Sequence, residues 1–304
     1  MVKILNFGSL NIDYTYDVDR FVQAGETLSS VQMQVSVGGK GLNQSIAASL
    51  SGADTYHAGA VGQSEDSRLL LEALENAGVD THWVSSMPCP TGHAIIQRDP
   101  GGQNCILLYG GANQRVTSAQ ARQVLTQFSA GDWIILQNEI SAVGTLMELA
   151  HQKGLRIAFN PSPMDEKILT YPLHLVDLLI LNEIEAATLC KVSSTDGQHL
   201  LRLLADRFPT SQVVLTLGGQ GAWYRSSREA IFQPAFSVPV KDTTAAGDTF
   251  TGYLLGGLIQ QLSPAEAMRQ AAAAAALAVT KKGAAPSIPD RTQVLEFLSR
   301  QPQP

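Results

Sequence analysis

Apolar runs of strand length alternate with segments of helical period along most of this chain. "KILNFG" (3–8) predicts a strand, and "LNQSIAASLSG" (42–52) predicts a helix stopped by Gly52. The alternation continues with strand 55–62, helix 66–78, strand 133–137, helix 143–154 and strand 156–160. Strand 178–182, helix 183–190 and strand 213–218 come next, then two long helices near 247–261 and 264–281. Strands separated by helices predict an α/β fold: a doubly wound, mostly parallel sheet flanked by helices on both faces.

Two stretches break the pattern. Residues 12–37 are strand-like without helical period and turn at Gly25, and "HAIIQRDPGGQNCILLY" alternates within residues 91–109 around a hairpin-like turn. They predict a small antiparallel sheet inserted into the α/β body as a lid. There is no internal repeat and no low-complexity linker, so residues 1–304 read as one domain carrying that insertion. The tail "SRQPQP" reads as frayed.

Composition narrows the function. With 304 residues, 44% of them hydrophobic and 16% charged, the chain can bury a sizeable core. Its net charge is −6 and no run of Lys or Arg exceeds two, which argues against nucleic-acid or anionic-membrane partners. Cys89, Cys105 and Cys190 are far apart and odd in number, supporting neither a disulfide framework nor a zinc site. The N-terminal apolar run is too short for a signal peptide, and "AAAAAALAV" (271–279) falls well below the ~18 apolar residues of a membrane span. A soluble, cytoplasmic protein is expected.

Polar and glycine-rich residues collect at the ends of the predicted strands, where open parallel sheets bind ligands. Asn11 and Asp13, two apart in an extended segment, share a face and offer donors and an acceptor to a polyhydroxy ligand; an Asx-turn pair explains them equally well. "GGKGLNQ" (38–44) opens a helix but fits neither a Walker A loop nor GxGxxG, since no Ser or Thr follows Lys40 and Gln44 stands where the third glycine would be. Its glycines admit close approach of a small ligand, with the Asn43 amide at hand; a tight turn is the plainer alternative. Glu139 in "LQNE" follows an apolar strand and can act at the site or cap a helix.

"NEIEA" places Asn182 and Glu185 three apart, a spacing that suits a hydrated magnesium ion or a helix cap. "TLGGQGAW" (216–223) passes through a glycine turn that suits a nucleotide or a plain hairpin. In "DTTAAGDTF" (242–250), Ala-Ala-Gly precedes Asp248 where a helix begins. Asp248 there is either an N-cap or a carboxylate beside bare amides that bind an anion.

Taken together, "NID", "GGKGLNQ", "LQNE", "NPSP", "LNEIEA", "TLGGQGAW", "DTTAAGDTF" and "AVTKKGAAPSIP" resemble the ribokinase-like carbohydrate kinases of the phosphofructokinase-B type over essentially the whole chain. The resemblance implies ATP-dependent phosphoryl transfer to the primary 5-hydroxyl of a pentose, D-ribose being the first expectation. It implies Asp248 as catalytic base, with Ala245, Ala246 and Gly247 as its anion hole. Asn11, Asp13, Gly39, Lys40, Gly41, Asn43 and Glu139 match sugar-binding positions. Asn182, Glu185, Thr216, Gly218, Gly219 and Gly221 match the nucleotide and Mg²⁺ side. Asp242, Thr244, Ala278, Lys281, Gly283 and Ser287 match a site for K⁺ formed largely by backbone carbonyls. Independently of the resemblance, the exposed edges of the inserted strands at 12–37 and 91–109 predict a homodimer made by lid-to-lid sheet packing. One departure is Ala272, where several relatives place Asn or His against adenine.

Rival expectations are another acceptor (2-deoxyribose, a hexose or a nucleoside) and a non-catalytic sugar sensor on a kinase scaffold. Only Lys40 offers an obvious cation near the sugar, which disfavours a phosphorylated acceptor.

Overall fold

The computed structural model describes residues 2–101 and 103–302. Gly102, within the expected turn, and the last two residues of the tail lie outside the described residues.

The first half contains β1 (Ile4–Phe7), β2 (Asn11–Asp17), β3 (Gln32–Gly38), α1 (Lys40–Leu50), β4 (Thr55–Gly62) and α2 (Glu65–Asn76). It continues with β5 (Asp80–Met87), β6 (Gly92–Arg98), β7 (Asn104–Tyr109), α3 (Ser118–Leu125), β8 (Trp133–Gln137) and α4 (Val143–Lys153). Next come β9 (Arg156–Asn160), β10 (Leu178–Asn182), α5 (Glu183–Cys190), α6 (Gly197–Arg207), β11 (Gln212–Thr216), β12 (Gly221–Arg225) and β13 (Ala230–Pro234). The chain closes with α7 (Ala246–Ile259), α8 (Pro264–Ala278) and α9 (Arg291–Ser299).

Nine strands form the main sheet in the order β13-β12-β11-β10-β9-β8-β1-β4-β5. Every pairing from β11 to β5 is parallel, and only the β11–β12–β13 hairpins are antiparallel. The strands are continuous apolar runs because both faces are covered. Leu5, Phe7, Ile134, Leu136, Ile157, Phe159, Leu179 and Leu181 pack on one side with α3, α4, α5 and α6. Ile4, Ile135, Ala158, Ile180 and Val214 pack on the other with α1, α2, α7 and α8. The described helices include none long and apolar enough to cross a membrane.

The smaller sheet has the order β3-β2-β6-β7. The expectation that it is antiparallel needs correction: its central pair, β2 and β6, is parallel, flanked by two antiparallel hairpins. The hairpins leave the main sheet in the same direction, after β1 and after β5. The intervening α1-β4-α2-β5 segment supplies the long crossover that a parallel pair requires.

Chain order reverses between β1 and β8, where the sheet switches its direction of winding. Crevices for ligands open at such points beyond the strand ends. On the α1/α7 face, successive strands there finish on polar residues: Asn6 late in β1, Gln137, Asn160, Asn182 and Thr216. Helix α7 lies over this row because it can approach α1 closely. A Cβ on Gly252 would come within 2.6 Å of the Ala48 backbone nitrogen, and one on Gly256 within 1.9 Å of Ser51 Oγ.

Candidate active site

Helix α7 begins without a side-chain cap. Its N-cap, Ala245, sits in the left-handed region at φ 59°, and Asp248 is the third helical residue. The capping alternative for Asp248 is thereby removed. Its carboxylate accepts hydrogen bonds from a different helix: Asn43 Nδ2 donates to Oδ2 at 3.0 Å and Gln44 Nε2 donates to Oδ1 at 2.9 Å. Asp248 is buried, and Asn43 keeps its own Oδ1 buried and unpartnered, aimed at no protein donor.

The amides at this helix start are open only in part. Ala246 N–H donates to the Thr243 carbonyl at 3.2 Å, whereas the N–H groups of Gly247 and Asp248 have no partner among the described residues. A Cβ on Gly247 would meet nothing within 4 Å, so the space in front of these amides is free. Two unpaired donors at the positive end of a helix dipole form an anion site.

Two cavities flank this helix start. The larger, about 590 Å³, is lined by Asn182, Thr216, Gly218, Gly219, Gly221, Gly247, Phe250, Ala272, Ala275, Ala276 and Val279. The smaller, about 220 Å³, is lined by Lys40, Asn160, Ser162, Glu185, Ala245 and Asp248. Thr243, Ala246 and Gly247 border both. "TLGGQGAW" is indeed a hairpin, β11 to β12, and its turn edges the larger cavity.

Beside the smaller cavity stand the residues from β1–β2 and α1. Glu139 Oε2 accepts from Lys40 N at 3.1 Å and from Ser9 Oγ. Gly39 is the N-cap of α1 at φ 96°, and Gly41 N–H donates to Ser9 Oγ at 3.2 Å, which ties the helix start to the end of β1. Asn11 is held by Asn113, whose Nδ2 donates to Asn11 Oδ1 at 2.8 Å. The Asp13 carboxylate lies over Gly38, where any side chain would collide with it.

These groups are electrostatically coupled. Burial, reinforced by the Glu139 charge, pushes the Asp13 carboxyl up to about 7. Burial also raises Glu139, against the pull of Lys40 and the Ser9 hydroxyl. For Lys40 burial acts downward, but the charges of Asp248, Glu139 and Glu185 outweigh it and hold the ammonium above its usual range.

Asn182 and Glu185 form a capping box: Asn182 Oδ1 accepts from Ile184 N and Glu185 N, and Glu185 Oε2 accepts from Asn182 N at 3.0 Å. The structure places both beside the cavities, with Asn182 Oδ1 and Glu185 Oε2 engaged in this cap. Of the six candidate K⁺ residues, Asp242, Thr244 and Gly283 are joined by hydrogen bonds. Asp242 Oδ2 accepts from Gly283 N at 2.9 Å and Oδ1 from Thr244 N at 2.9 Å, so its carboxylate staples the 242–246 loop to the segment after α8. Burial raises that carboxyl, but these bonds prevail and leave it below the ordinary range. Ala278 O accepts from Lys281 N at 3.0 Å, and Ser287 is fully buried.

Sequence reasoning did not single out Gln44, Ser9, Asn113 or Asn160. Gln44 was visible as the last residue of "GGKGLNQ", but only packing shows that it reaches Asp248. Asn113 lies in a short 3₁₀ turn, Gly111–Arg115, far along the chain from Asn11, and no local signal joins them.

A doubly wound sheet with paired cavities on either side of an uncapped helix start, and a buried carboxylate in that first turn, is built to move a phosphoryl group between two bound molecules. The chain belongs to the pfkB family of carbohydrate kinases, whose family model matches residues 1–291. It is 34% identical over 300 residues to a ribokinase of Haemophilus influenzae, covering 96% of each chain. The structure of Arabidopsis thaliana ribokinase complexed with ribose and ATP is similar with a TM-score of 0.87 at 30% identity, covering 99% of both chains. The structure of a ribokinase from Thermotoga maritima aligns with a TM-score of 0.85 at 32% identity, over 99% of this chain and 100% of the other.

The raised Asp13 carboxyl yields a signed expectation. Its folded value of about 7 lies above its ordinary 3.8, so the folded protein holds this proton more tightly than the unfolded chain. The resulting stability is complete below about pH 4 and is lost as pH rises through 7. Asp13→Asn removes that dependence. The melting temperature of the ligand-free variant, relative to the parent, rises between pH 5 and pH 8 by about 4–8 °C, the shift produced by the roughly 2–3 kcal/mol that this linkage releases over the interval. A relative melting temperature that falls over this interval contradicts the burial of Asp13 as an unpaired acid.

Proposed function

We propose that this protein is an ATP-dependent kinase that phosphorylates the primary 5-hydroxyl of D-ribose. The observation that carries the reading is Asp248: buried in the first turn of α7, yet bonded to α1 and not to its own helix. It lines the smaller cavity beside the open amides of Gly247 and Asp248, and Gly247 borders both cavities. The larger cavity suits the nucleotide, with Thr216, Gly218, Gly219 and Gly221 along one edge and an alanine wall, Ala272 included, on another. That wall offers the base apolar contact in place of an amide. Asn11, Asp13, Gly39, Lys40, Gly41, Asn43 and Glu139 suit the sugar, with the free Asn43 Oδ1 ready to accept from a hydroxyl. Identity to ribokinases over nearly the full length favours ribose over the other acceptors.

In the transfer, the Asp248 carboxylate takes the proton from the sugar hydroxyl as that oxygen bonds to the γ-phosphorus, and the bond to the β-phosphate oxygen breaks. ADP leaves with the electron pair. The open N–H groups face the charge that accumulates on the moving phosphoryl group. No cluster of three His, Cys, Asp or Glu side chains able to hold a metal occurs among the described residues. A divalent ion here would be bound mainly by nucleotide phosphates and water, with the Glu185 carboxylate nearby, which fits Mg²⁺. Bound Mg²⁺ supplies charge neutralisation on the phosphates. The four-stranded sheet would act as a lid over the sugar, and the setting would be the cytoplasm.

Asp248→Asn, assayed with ribose and ATP, is expected to lose about 10²–10⁴-fold in kcat while nucleotide affinity is retained. A variant keeping more than a tenth of the parent kcat would falsify Asp248 as the base. A hexose or nucleoside with ten times the kcat/KM of ribose would replace the acceptor.

The Asp242 staple supports activation by K⁺ through ordering of the 242–246 loop, with the cation held by carbonyls of Asp242, Thr244, Ala278, Lys281 and Gly283 and by Ser287. Rates in K⁺ should exceed those in tetramethylammonium. Equal rates dispose of the site.

The lid carries exposed Val31, Met33, Val35, Ile106, Leu107, Leu108 and Tyr109 along and beside its edge strands. Unpaired apolar edges favour pairing, here as a homodimer joined lid to lid. Light scattering at micromolar concentration should give twice the chain mass; a monomer rejects the dimer.

A further inference from the structure

Beneath Asp248 runs a chain of buried amides that nothing in the transfer reaction itself requires. Asn6 and Gln44 are fully buried and Gln137 is 1% exposed. Gln137 Nε2 donates to Gln44 Oε1 at 2.8 Å and to Asn6 Oδ1 at 3.1 Å. Asn6 Nδ2 in turn donates to the Gly41 carbonyl at 2.9 Å. Gln44 Nε2 donates to Asp248 Oδ1 at 2.9 Å and to Asn160 Oδ1 at 3.1 Å, and Asn160 Nδ2 donates to the Ile180 carbonyl at 2.9 Å.

The direction of this chain is forced by its ends. Gly41 O and Ile180 O can only accept, so the NH₂ groups of Asn6 and Asn160 must face them. That leaves Asn160 Oδ1 and the Asp248 carboxylate together before Gln44, which must present its NH₂ there and its oxygen to Gln137. Gln137 then faces two oxygens and must present both of its N–H groups. Its own Oε1 is left buried without a partner. A buried amide with an orphaned oxygen is unfavourable, and it persists because turning Gln137 over would set oxygen against oxygen twice.

We infer that Gln137 and Gln44 are positioning residues for the catalytic carboxylate, a one-way amide chain rooted in β1 and β8 that keeps a donor, and never an acceptor, turned toward Asp248. The inference rests on the reading of Asp248 as the base. The chain fixes the carboxylate's orientation from behind, leaving its remaining lone pairs for the sugar hydroxyl. The charged groups facing Asp248 are Lys40 from α1, Glu139 from the segment after β8 and Glu185 from α5 in the same smaller cavity, and none belongs to the amide chain.

The test uses Gln44→Leu and Gln137→Met, both close in volume to the residue replaced. Gln44→Leu is expected to lose about 10–100-fold in kcat, the worth of one hydrogen bond to a charged group. Gln137→Met should lose less, in the same direction. In both, the KM for ATP stays within about twofold, and the acidic limb of the pH–kcat profile moves to higher pH, because that limb reports the base in the ternary complex. Unmoved limbs, or kcat within twofold of the parent in Gln44→Leu, overturn the inference while leaving the Asp248→Asn result standing. A second readout needs no substitution in the chain itself. The side-chain NH₂ resonances of Gln44 and Gln137 should titrate with a common midpoint and stop moving in Asp248→Asn; independent titrations overturn it equally.

Discussion

The active site depends on the close contact between α1 and α7. Gly252 and Gly256 remove the side chains that would hold the helices apart, and Ala47, Ala48 and Ser51 fill the space with small groups. Interiors pack at near-crystal density, so such a contact has little tolerance for added volume. Because of it, Asn43 and Gln44, at the start of α1, reach a carboxylate more than 200 positions later in the sequence. The Asp248 carboxylate is placed by helix packing, and the amides that hold it come from the element that also contributes Lys40.

A second constraint is charge. Glu139, Asp248 and Glu185 surround a single lysine, Lys40, and Asp13 lies near Glu139, in a setting that burial has partly stripped of water. Burial pushes the Asp13 carboxyl toward its neutral form, and the nearby Glu139 charge adds to the push. A polyhydroxy ligand relieves this crowding because its hydroxyls donate to carboxylates. The ligand-free site is therefore arranged for hydrogen bonds that only a bound molecule can complete, an arrangement that lowers the stability of the empty protein.

Much of the fold was legible along the chain. Buried parallel strands are continuous apolar runs, and helices near 42–50 and 143–153 show their period directly, whereas the helix near 246–259 is apolar almost all round. The helices at Ser118–Leu125, Gly197–Arg207 and Arg291–Ser299 went unread although each follows a capping side chain, Thr117, Asp196 or Asp290. Ser118–Leu125 and Arg291–Ser299 are short, whereas Gly197–Arg207 carries a clear apolar face, Leu200, Leu201 and Leu204, and was legible by period. The pairing of β2 with β6 was beyond reach, because strand patterns report which face is buried and not which neighbour lies alongside.

For the site, the sequence by itself determined which residue types stand at the strand ends: the carboxylates, amides and glycines of "NID", "GGKGLNQ", "LQNE" and "DTTAAGDTF". It did so because chemistry at a strand-to-helix junction is written locally. Whether Asp248 capped its helix or faced another could not be read from nine residues, since both roles call for the same side chain in the same place. Tertiary structure decided it, by setting Ala245 in the left-handed conformation and bringing two amides of α1 to the carboxylate. The linkage of Gln137 to Asp248 through Gln44 belongs wholly to the folded state, because hydrogen-bond direction is fixed only once all the ends of a network are in place.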